Sequence, residues 1–188
     1  MKRVVVALLL ALASVAASAE EFTAVQVDKS SIAFVSRQMG VPVNGRFGKF
    51  SAQIRFDPAK PETGSVVVDI AVASIDAGSA EANDAVAGKD WFDAAAFPGA
   101  RFATTAIRPL GGNRYEALGK LTIKGRTRDV AAPFTFASRG SVGNAEGTLV
   151  IKRADFGIGQ GVWADFDTVA NEVEIKFRLQ AEASAAHK

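Results

Sequence analysis

Apolar residues alternate with polar ones along much of this chain, and the alternation is clearest near the C-terminus. Val173, Ile175, Phe177 and Leu179 fall at every second position, and charged or polar residues occupy the positions between them. A period of two places the two sets on opposite faces of a β-strand, whereas a helix would scatter both sets around its circumference. The pattern therefore predicts a strand with one buried face.

The same alternation recurs often enough to predict about eight or nine strands, the first of them over residues 22–27. Turn residues separate the strands, as at Asp57-Pro58, Lys124-Gly125 and Gly143-Asn144. Many evenly spaced strands favour a barrel or a sandwich. We expect an all-β fold, an antiparallel eight-stranded β-barrel, which has room for packed side chains or one small ligand.

One segment, residues 76–98, breaks this rhythm because it is rich in Ala and Asp. It predicts one or two short helices inserted into the barrel. Asp90 is the expected N-cap, since a carboxylate can accept the free N–H groups of a first helical turn. Pro98 is expected to end the helical region, because proline cannot continue a helix.

The N-terminus has the charged, apolar and small-residue order of a secretory signal peptide. Lys2 and Arg3 precede an apolar run over residues 4–15, and small residues lead to Ala19. A run of about a dozen residues is shorter than the roughly 20 that a membrane-spanning helix needs. We expect cleavage after Ala19, export to the periplasm, a domain over residues 20–182 and a polar tail over residues 183–188.

Composition limits the function classes. The chain has 22 Lys and Arg against 20 Asp and Glu, and removing Lys2 and Arg3 leaves 20 of each. A balanced charge gives no support for nucleic-acid binding, which needs a clustered basic face. There is no Cys, so no disulfide framework is expected. With one Tyr and two Trp, the chain is also poor in the aromatic girdles of a membrane barrel, so the apolar face is expected to point inward.

Few catalytic groups are present. The only His is His187, in the tail, and without Cys the usual nucleophile–histidine pairs and zinc sites are excluded. Three carboxylate pairs exist without the framework of a glycosidase or calcium loop: Asp165 and Asp167, Glu172 and Glu174, and Asp90 and Asp93. We expect no enzyme, no metal site and no cofactor.

The aromatic residues favour an apolar interior, since 13 are Phe. Alternation turns the following toward it: Phe34, Phe50, Phe56, Phe102, Phe134, Phe136 and Phe177. Arg153 continues the inward face of its strand, where it either clamps an anionic group or pairs internally with Asp155 or another carboxylate. The basic residues Lys120, Lys124, Arg126 and Arg128 form either a solvated hairpin turn or an anion-binding surface.

An ordered series of motifs resembles the YceI family. It runs from Ser31-Ile-Ala-Phe34 and Met39-Gly40 through Trp91-Phe92-Asp93 to Gly119-Lys-Leu-Thr-Ile-Lys-Gly125 and Arg153-Ala-Asp-Phe-Gly157, and covers nearly all of residues 22–182. The resemblance implies a lipocalin-like barrel with an elongated pocket for a polyisoprenoid, quinone or related lipid. Some members are dimers or are associated with b-type cytochromes or stress responses, so a homodimer and a membrane b-type cytochrome or quinone system are candidate partners.

The sequence departs from this family at Gln38, where many members carry His. The ligand contacts expected from alternation and resemblance together are Phe34, Gln38, Phe50, Phe56, Trp91, Phe102, Phe134, Arg153 and Phe177. We therefore expect a periplasmic carrier that holds an apolar chain inside its barrel and is not embedded in the membrane. The alternatives are a partner-binding or stress-related structural protein with a filled barrel, and an enzyme that uses Asp/Glu pairs.

Overall fold

The structure, a computed structural model, describes residues 20–184. The predicted signal peptide, residues 1–19, and His187 lie outside this range. The described residues form one antiparallel sheet of eleven strands and a single α-helix, α1. The strands are β1 (Phe22–Val25), β2 (Ser31–Gln38), β3 (Val41–Phe47), β4 (Phe50–Arg55), β5 (Ser65–Ala71), β6 (Ile75–Asp76), β7 (Gly99–Gly111), β8 (Arg114–Ile123), β9 (Arg126–Arg139), β10 (Val142–Lys152) and β11 (Glu172–Ala183); α1 is Ala80–Ala87.

The sheet is curled. Its strand order is β4-β5-β7-β8-β9-β10-β11-β2-β3-β6, and β1 pairs with β11 outside this path. Directly after β4, Phe56 exchanges two main-chain hydrogen bonds with Phe22 of β1: Phe22 N donates to Phe56 O at 2.9 Å, and Phe56 N donates to Phe22 O at 3.1 Å. This contact brings the β4 end of the sheet against β1, so the sheet bends around an enclosed interior.

The all-β antiparallel prediction is confirmed, but eleven strands across residues 20–184 replace the eight expected. The main omission was β3, whose alternation is obscured by Pro42 and Gly45. Pro42 faces Arg37 of β2, and β6 reaches only Arg46 and Phe47 on the other side of β3. Proline has no N–H to donate and is tolerated where a strand has a free edge, so Pro42 is compatible with this position.

The helical segment differs from its prediction at the cap. The N-cap of α1 is Ser79, whose hydroxyl accepts from Ala82 N at 3.1 Å. Asp90 starts no helix, because residues 88–97 form successive turns in which Asp93 has a φ of +49°. The backbone carbonyl of Asp90 instead accepts a hydrogen bond from Gln160 N at 2.7 Å.

The predicted turns are partly displaced. Lys124 and Gly125 form the β8–β9 turn, with φ of +49° and +69°. Positive φ at both residues of a two-residue turn matches the right-handed twist of the two strands that it connects. Gly143 and Asn144, by contrast, lie inside β10, and the chain reverses before that strand, at Gly140 and Ser141.

The apolar faces of the strands point into the curl, as predicted. Phe22, Val72 and Phe156 are almost completely buried, while the charged residues of β11 alternate outward. Among residues 20–184, no helix is both long and apolar enough to cross a bilayer.

Candidate functional site: an apolar cavity inside the sheet

The interior of the curled sheet is hollow. A cavity of about 250 Å³, the main cavity, lies between β2, β3, α1 and the ends of β8 and β10, and a second one of about 110 Å³, the far lobe, lies deeper among β4, β5 and β7–β10. Both are lined by Ile32, Ile70, Leu121 and Ile175. Because the same four side chains border both, the two cavities adjoin along the interior of the sheet.

Most of the predicted contact residues line this space. The main cavity is lined by Phe34, Gln38, Trp91 and Arg153, and the far lobe by Phe56, Phe102, Phe134 and Phe177. Phe50 lines neither; it packs against the small cluster of Ile32, Val68 and Leu179. The structure thus brings together the strand positions that alternation had selected, and their contact with a ligand stays a prediction.

Small residues explain why the interior is not filled by its own side chains. The inward positions at the middle of β8, β9 and β10 are Ala117, Gly119, Ala132, Ala145 and Gly147. Phenylalanine rings lie close against the glycines: a Cβ on Gly119 would meet the Phe102 ring at 2.7 Å, and one on Gly147 would meet Phe177 at 2.5 Å. The rings therefore cover the sheet and leave the axis of the interior open.

Sequence reasoning missed several lining residues. Phe47 lies on β3, the strand that was not predicted, and Ala82, Ala85 and Val86 come from α1. Trp163 lies in the irregular segment after β10, with its ring centroid 5.6 Å from that of Trp91. Alternation cannot identify inward-facing residues on a helix or in a loop. Among these residues, only Trp91 and Trp163 could have been selected from the sequence, by the type of their side chains.

Polarity along β2 changes from the inside to the mouth. Its inward positions are Ile32, Phe34, Ser36 and Gln38; Ile32 is buried, whereas Gln38 is exposed and bridges to Val169. The Nε1 atom of Trp91, which also lines the main cavity, is buried without a hydrogen-bond partner among the described residues. The exposed end of the cavity at Gln38, the mouth, is therefore polar on β2, whereas the far lobe is lined by apolar side chains alone.

Arg153 fits neither of its two predicted roles. Its side chain is 1% exposed and its guanidinium donates to five backbone carbonyl oxygens at 2.7–3.1 Å, those of Ile158, Gly159, Trp163, Val169 and Ala170. A guanidinium has five N–H donors, so all are used. None of the ion pairs within residues 20–184 includes it. Burial lowers the Arg153 pKa.

The contacts of Arg153 give it a positioning role. Its Cζ lies 5.9 Å from the centroid of the Trp91 ring, which borders the main cavity. The five carbonyls all belong to the segment between β10 and β11, so one side chain holds that segment over the cavity. An anionic head group would have to displace a carbonyl to bind here.

Lys124 connects the same segment to the turns after α1. Its Nζ donates to Lys89 O at 2.6 Å and to Gly157 O at 3.0 Å. Burial lowers the Lys124 pKa, and the neighbouring Asp93 carboxylate acts in the opposite direction. Lys124 therefore bridges two cavity-covering segments, whereas Lys120, Arg126 and Arg128 are exposed, as the solvated-turn alternative expects.

The carboxylate pairs show no metal-binding geometry. No group of three His, Cys, Asp or Glu side chains converges within residues 20–184. Asp165 Oδ1 accepts from Asp167 N at 2.9 Å, which is a local turn. Apart from Arg153, whose donors are all used, the described polar side chains that line the main cavity are those of Ser36, Gln38, Trp91 and Trp163, and their chemistry is hydrogen bonding.

Comparison with known proteins identifies the fold and the family. The structure of BcnA from Burkholderia cenocepacia matches with a TM-score of 0.82 and 52% identity, over 84% of this chain and 99% of that chain. A model described as a YceI-like domain matches residues 24–181. The chain belongs to the YceI family. The resemblance found in the sequence is thereby confirmed.

Two further YceI-type matches are more distant. A UPF0312 protein of Pseudomonas fluorescens is 31% identical over 144 residues, which is 71% of each chain. A structure described as a polyisoprenoid binding domain from Saccharophagus degradans, implicated in plant cell wall breakdown, matches with a TM-score of 0.67 and 17% identity, over 88% of this chain and 99% of that chain. At that identity the similarity concerns the fold.

Proposed function

We propose that this protein binds the apolar chain of a polyisoprenoid, an isoprenoid quinone or a similar lipid in its internal cavity, and carries it in the periplasm without catalysing a reaction. The observation that carries the proposal is the pair of adjoining apolar cavities, the main cavity and the far lobe, inside the sheet. Burial of each CH₂ group stabilises a complex by about 0.8 kcal/mol, so a long hydrocarbon chain is a strong ligand for such a space.

The shape and polarity of the cavity support an orientation for the ligand. Gln38 and Ser36 lie toward the mouth, and the far lobe is lined by apolar side chains alone. A lipid with one polar end would therefore place that end beside Gln38 and its chain toward Phe134. The polyisoprenoid-binding description of the fold neighbour from Saccharophagus degradans agrees with this choice of ligand.

The periplasmic location rests on the signal-peptide pattern of residues 1–19. The non-catalytic role rests on the lack of Cys and on the position of the single His in the tail. A homodimer and a cytochrome or quinone-system partner stay predictions.

Fluorescence offers a direct test, because both Trp residues of the chain line the main cavity. Titration with a ubiquinone, whose ring quenches indole fluorescence, is expected to give saturable quenching at one quinone per chain. Solvent extraction and mass spectrometry of the purified protein are expected to recover a bound lipid. Absence of both quenching and co-purified lipid would contradict the proposal.

A matched pair of variants separates binding inside the sheet from binding on its surface. Ser36 points into the main cavity, whereas Ser51 is exposed on the outer face of β4. Ser36→Phe is expected to weaken quinone binding about tenfold or more, and Ser51→Phe is expected to leave it unchanged. Equal effects of the two substitutions would place the ligand elsewhere.

A further inference from the structure

The deep end of the cavity is closed by aromatic rings. Five of them meet there, and we call this group the aromatic plug: Phe22, Phe56, Tyr115, Phe134 and Phe136. All five are at most 9% exposed. Of the other residues that line the far lobe, only Phe102 and Phe177 are aromatic, and their rings lie against Gly119 and Gly147 on the sheet. A cluster of five rings therefore distinguishes this end from the sides of the cavity.

Phe56 is the centre of the plug. Its ring centroid lies 4.8 Å from that of Phe136, 5.1 Å from Tyr115 and 5.8 Å from Phe134, in each case edge to face. Phe22 packs edge to face on Phe136 at 5.0 Å. Edge-to-face pairs at these distances are favourable, so the rings hold one another in place.

The backbone around the plug is fixed as well. Phe22 and Phe56 are joined by their two main-chain hydrogen bonds, and Asp57, which is buried, accepts from Ala59 N at 2.8 Å to close the next turn. A ligand chain that reaches the plug would therefore meet a rigid wall.

The plug has an inner and an outer layer. Phe56 and Phe134 line the far lobe, whereas Phe22, Tyr115 and Phe136 lie behind them and do not line it. Phe134 and Phe136 are neighbours on the same face of β9, so they form a pair with the same chemistry, one in contact with the cavity and one outside it.

We propose that Phe56 and Phe134 determine the longest isoprenoid chain that the cavity accepts. The proposal rests on the proposed function and adds a length limit to it. On β8, the six residue steps from Ile123, in the main cavity, to Ala117, in the far lobe, span about 20 Å. With carbon–carbon bonds of about 1.5 Å in a zigzag, one isoprene unit extends about 5 Å, so roughly four extended units fit before the plug.

Carbon counting sets the expected size of a change. Replacing Phe134 by Ala removes the six ring carbons, and an isoprene unit has five carbons. Phe134→Ala is therefore expected to shift the preferred chain to one unit longer. Ala132→Phe adds six carbons to the wall of the far lobe and is expected to shift the preference to one unit shorter.

The experiment is a competition. The full-length protein is mixed with ubiquinones that share one head group and differ in the number of isoprene units, and the bound fraction is extracted and measured by mass spectrometry. Phe136→Ala, the outer-layer control, removes an equally buried ring and is expected to leave the length distribution of the wild type unchanged. Circular dichroism verifies that each variant is folded.

The outcomes separate the two proposals. Wild-type protein that binds no ubiquinone of any length overturns the proposed function. Wild-type binding with no length cut-off, or the same shift for Phe134→Ala and Phe136→Ala, overturns the length limit alone. If Phe134→Ala does not fold, Ala132→Phe provides the test of the length limit. This variant is expected to bind the longest ubiquinone that the wild type accepts about tenfold more weakly, and unchanged binding of that ubiquinone overturns the limit.

Discussion

Replacement of Arg153 by Lys tests whether one guanidinium organises the segment that covers the cavity. Lysine keeps the positive charge but has three N–H donors where arginine has five, so at least two of the five carbonyls lose their partner. A buried acceptor left without a donor costs about 1–3 kcal/mol. We expect Arg153→Lys to lower the free energy of unfolding by about 3 kcal/mol.

The matched control is Arg101→Lys. Arg101 also forms two short hydrogen bonds, from Nη1 to the two carboxylate oxygens of Asp69 at 2.7 and 2.8 Å, but its side chain is 56% exposed. Exposed ion pairs contribute about 0–1 kcal/mol. We therefore expect this substitution to change the free energy of unfolding by less than about 0.5 kcal/mol.

Urea unfolding followed by tryptophan fluorescence measures both values. Hydrogen exchange adds the location of the change, and faster exchange is expected in residues 157–171 of Arg153→Lys, with the strands largely unaffected. If Arg153→Lys lost no more stability than Arg101→Lys, the carbonyl contacts of Arg153 would not be what holds the segment.

Tyr115 is the single tyrosine, and burial raises its pKa above the ordinary value of 10.0. As pH rises, the unfolded chain therefore loses the Tyr115 proton first, so this group lowers the free energy of unfolding above pH 10.0. Ultraviolet titration is expected to show tyrosinate at higher pH in the folded protein than in urea-unfolded protein, and coincident curves would contradict the burial of Tyr115. Gly119→Ala places a Cβ 2.5 Å from the backbone oxygen of Ala103 and is expected to cost about 2 kcal/mol in urea unfolding, a value near zero being inconsistent with that contact. Ser79→Ala removes the cap of α1 and is expected to cost about 1 kcal/mol, with Ser79→Asp retaining stability if capping is the cause.

The ligand contacts show how far alternation can be used. Phe134 and Phe177 could be assigned to the interior because a strand turns every second side chain to the same face. The same rule failed for Phe47, since Pro42 and Gly45 interrupt the pattern of β3, and it has no meaning for the α1 residues that border the main cavity. Phe50 shows the remaining limit: its position is inward-facing by alternation, yet it packs against Ile32, Val68 and Leu179 without lining either cavity itself.

The amino-acid sequence by itself determined the strand-rich fold, the inward apolar faces and the family, because these depend on local periodicity and on ordered motifs. Tertiary structure decided that the interior is hollow, since this depends on Phe102 lying over Gly119 on the neighbouring strand. It also decided the role of Arg153, which sequence could place on an inward face but could not connect to five carbonyls of a segment up to seventeen residues away. Contacts between residues distant in the chain carry no period, so only the folded arrangement reveals them.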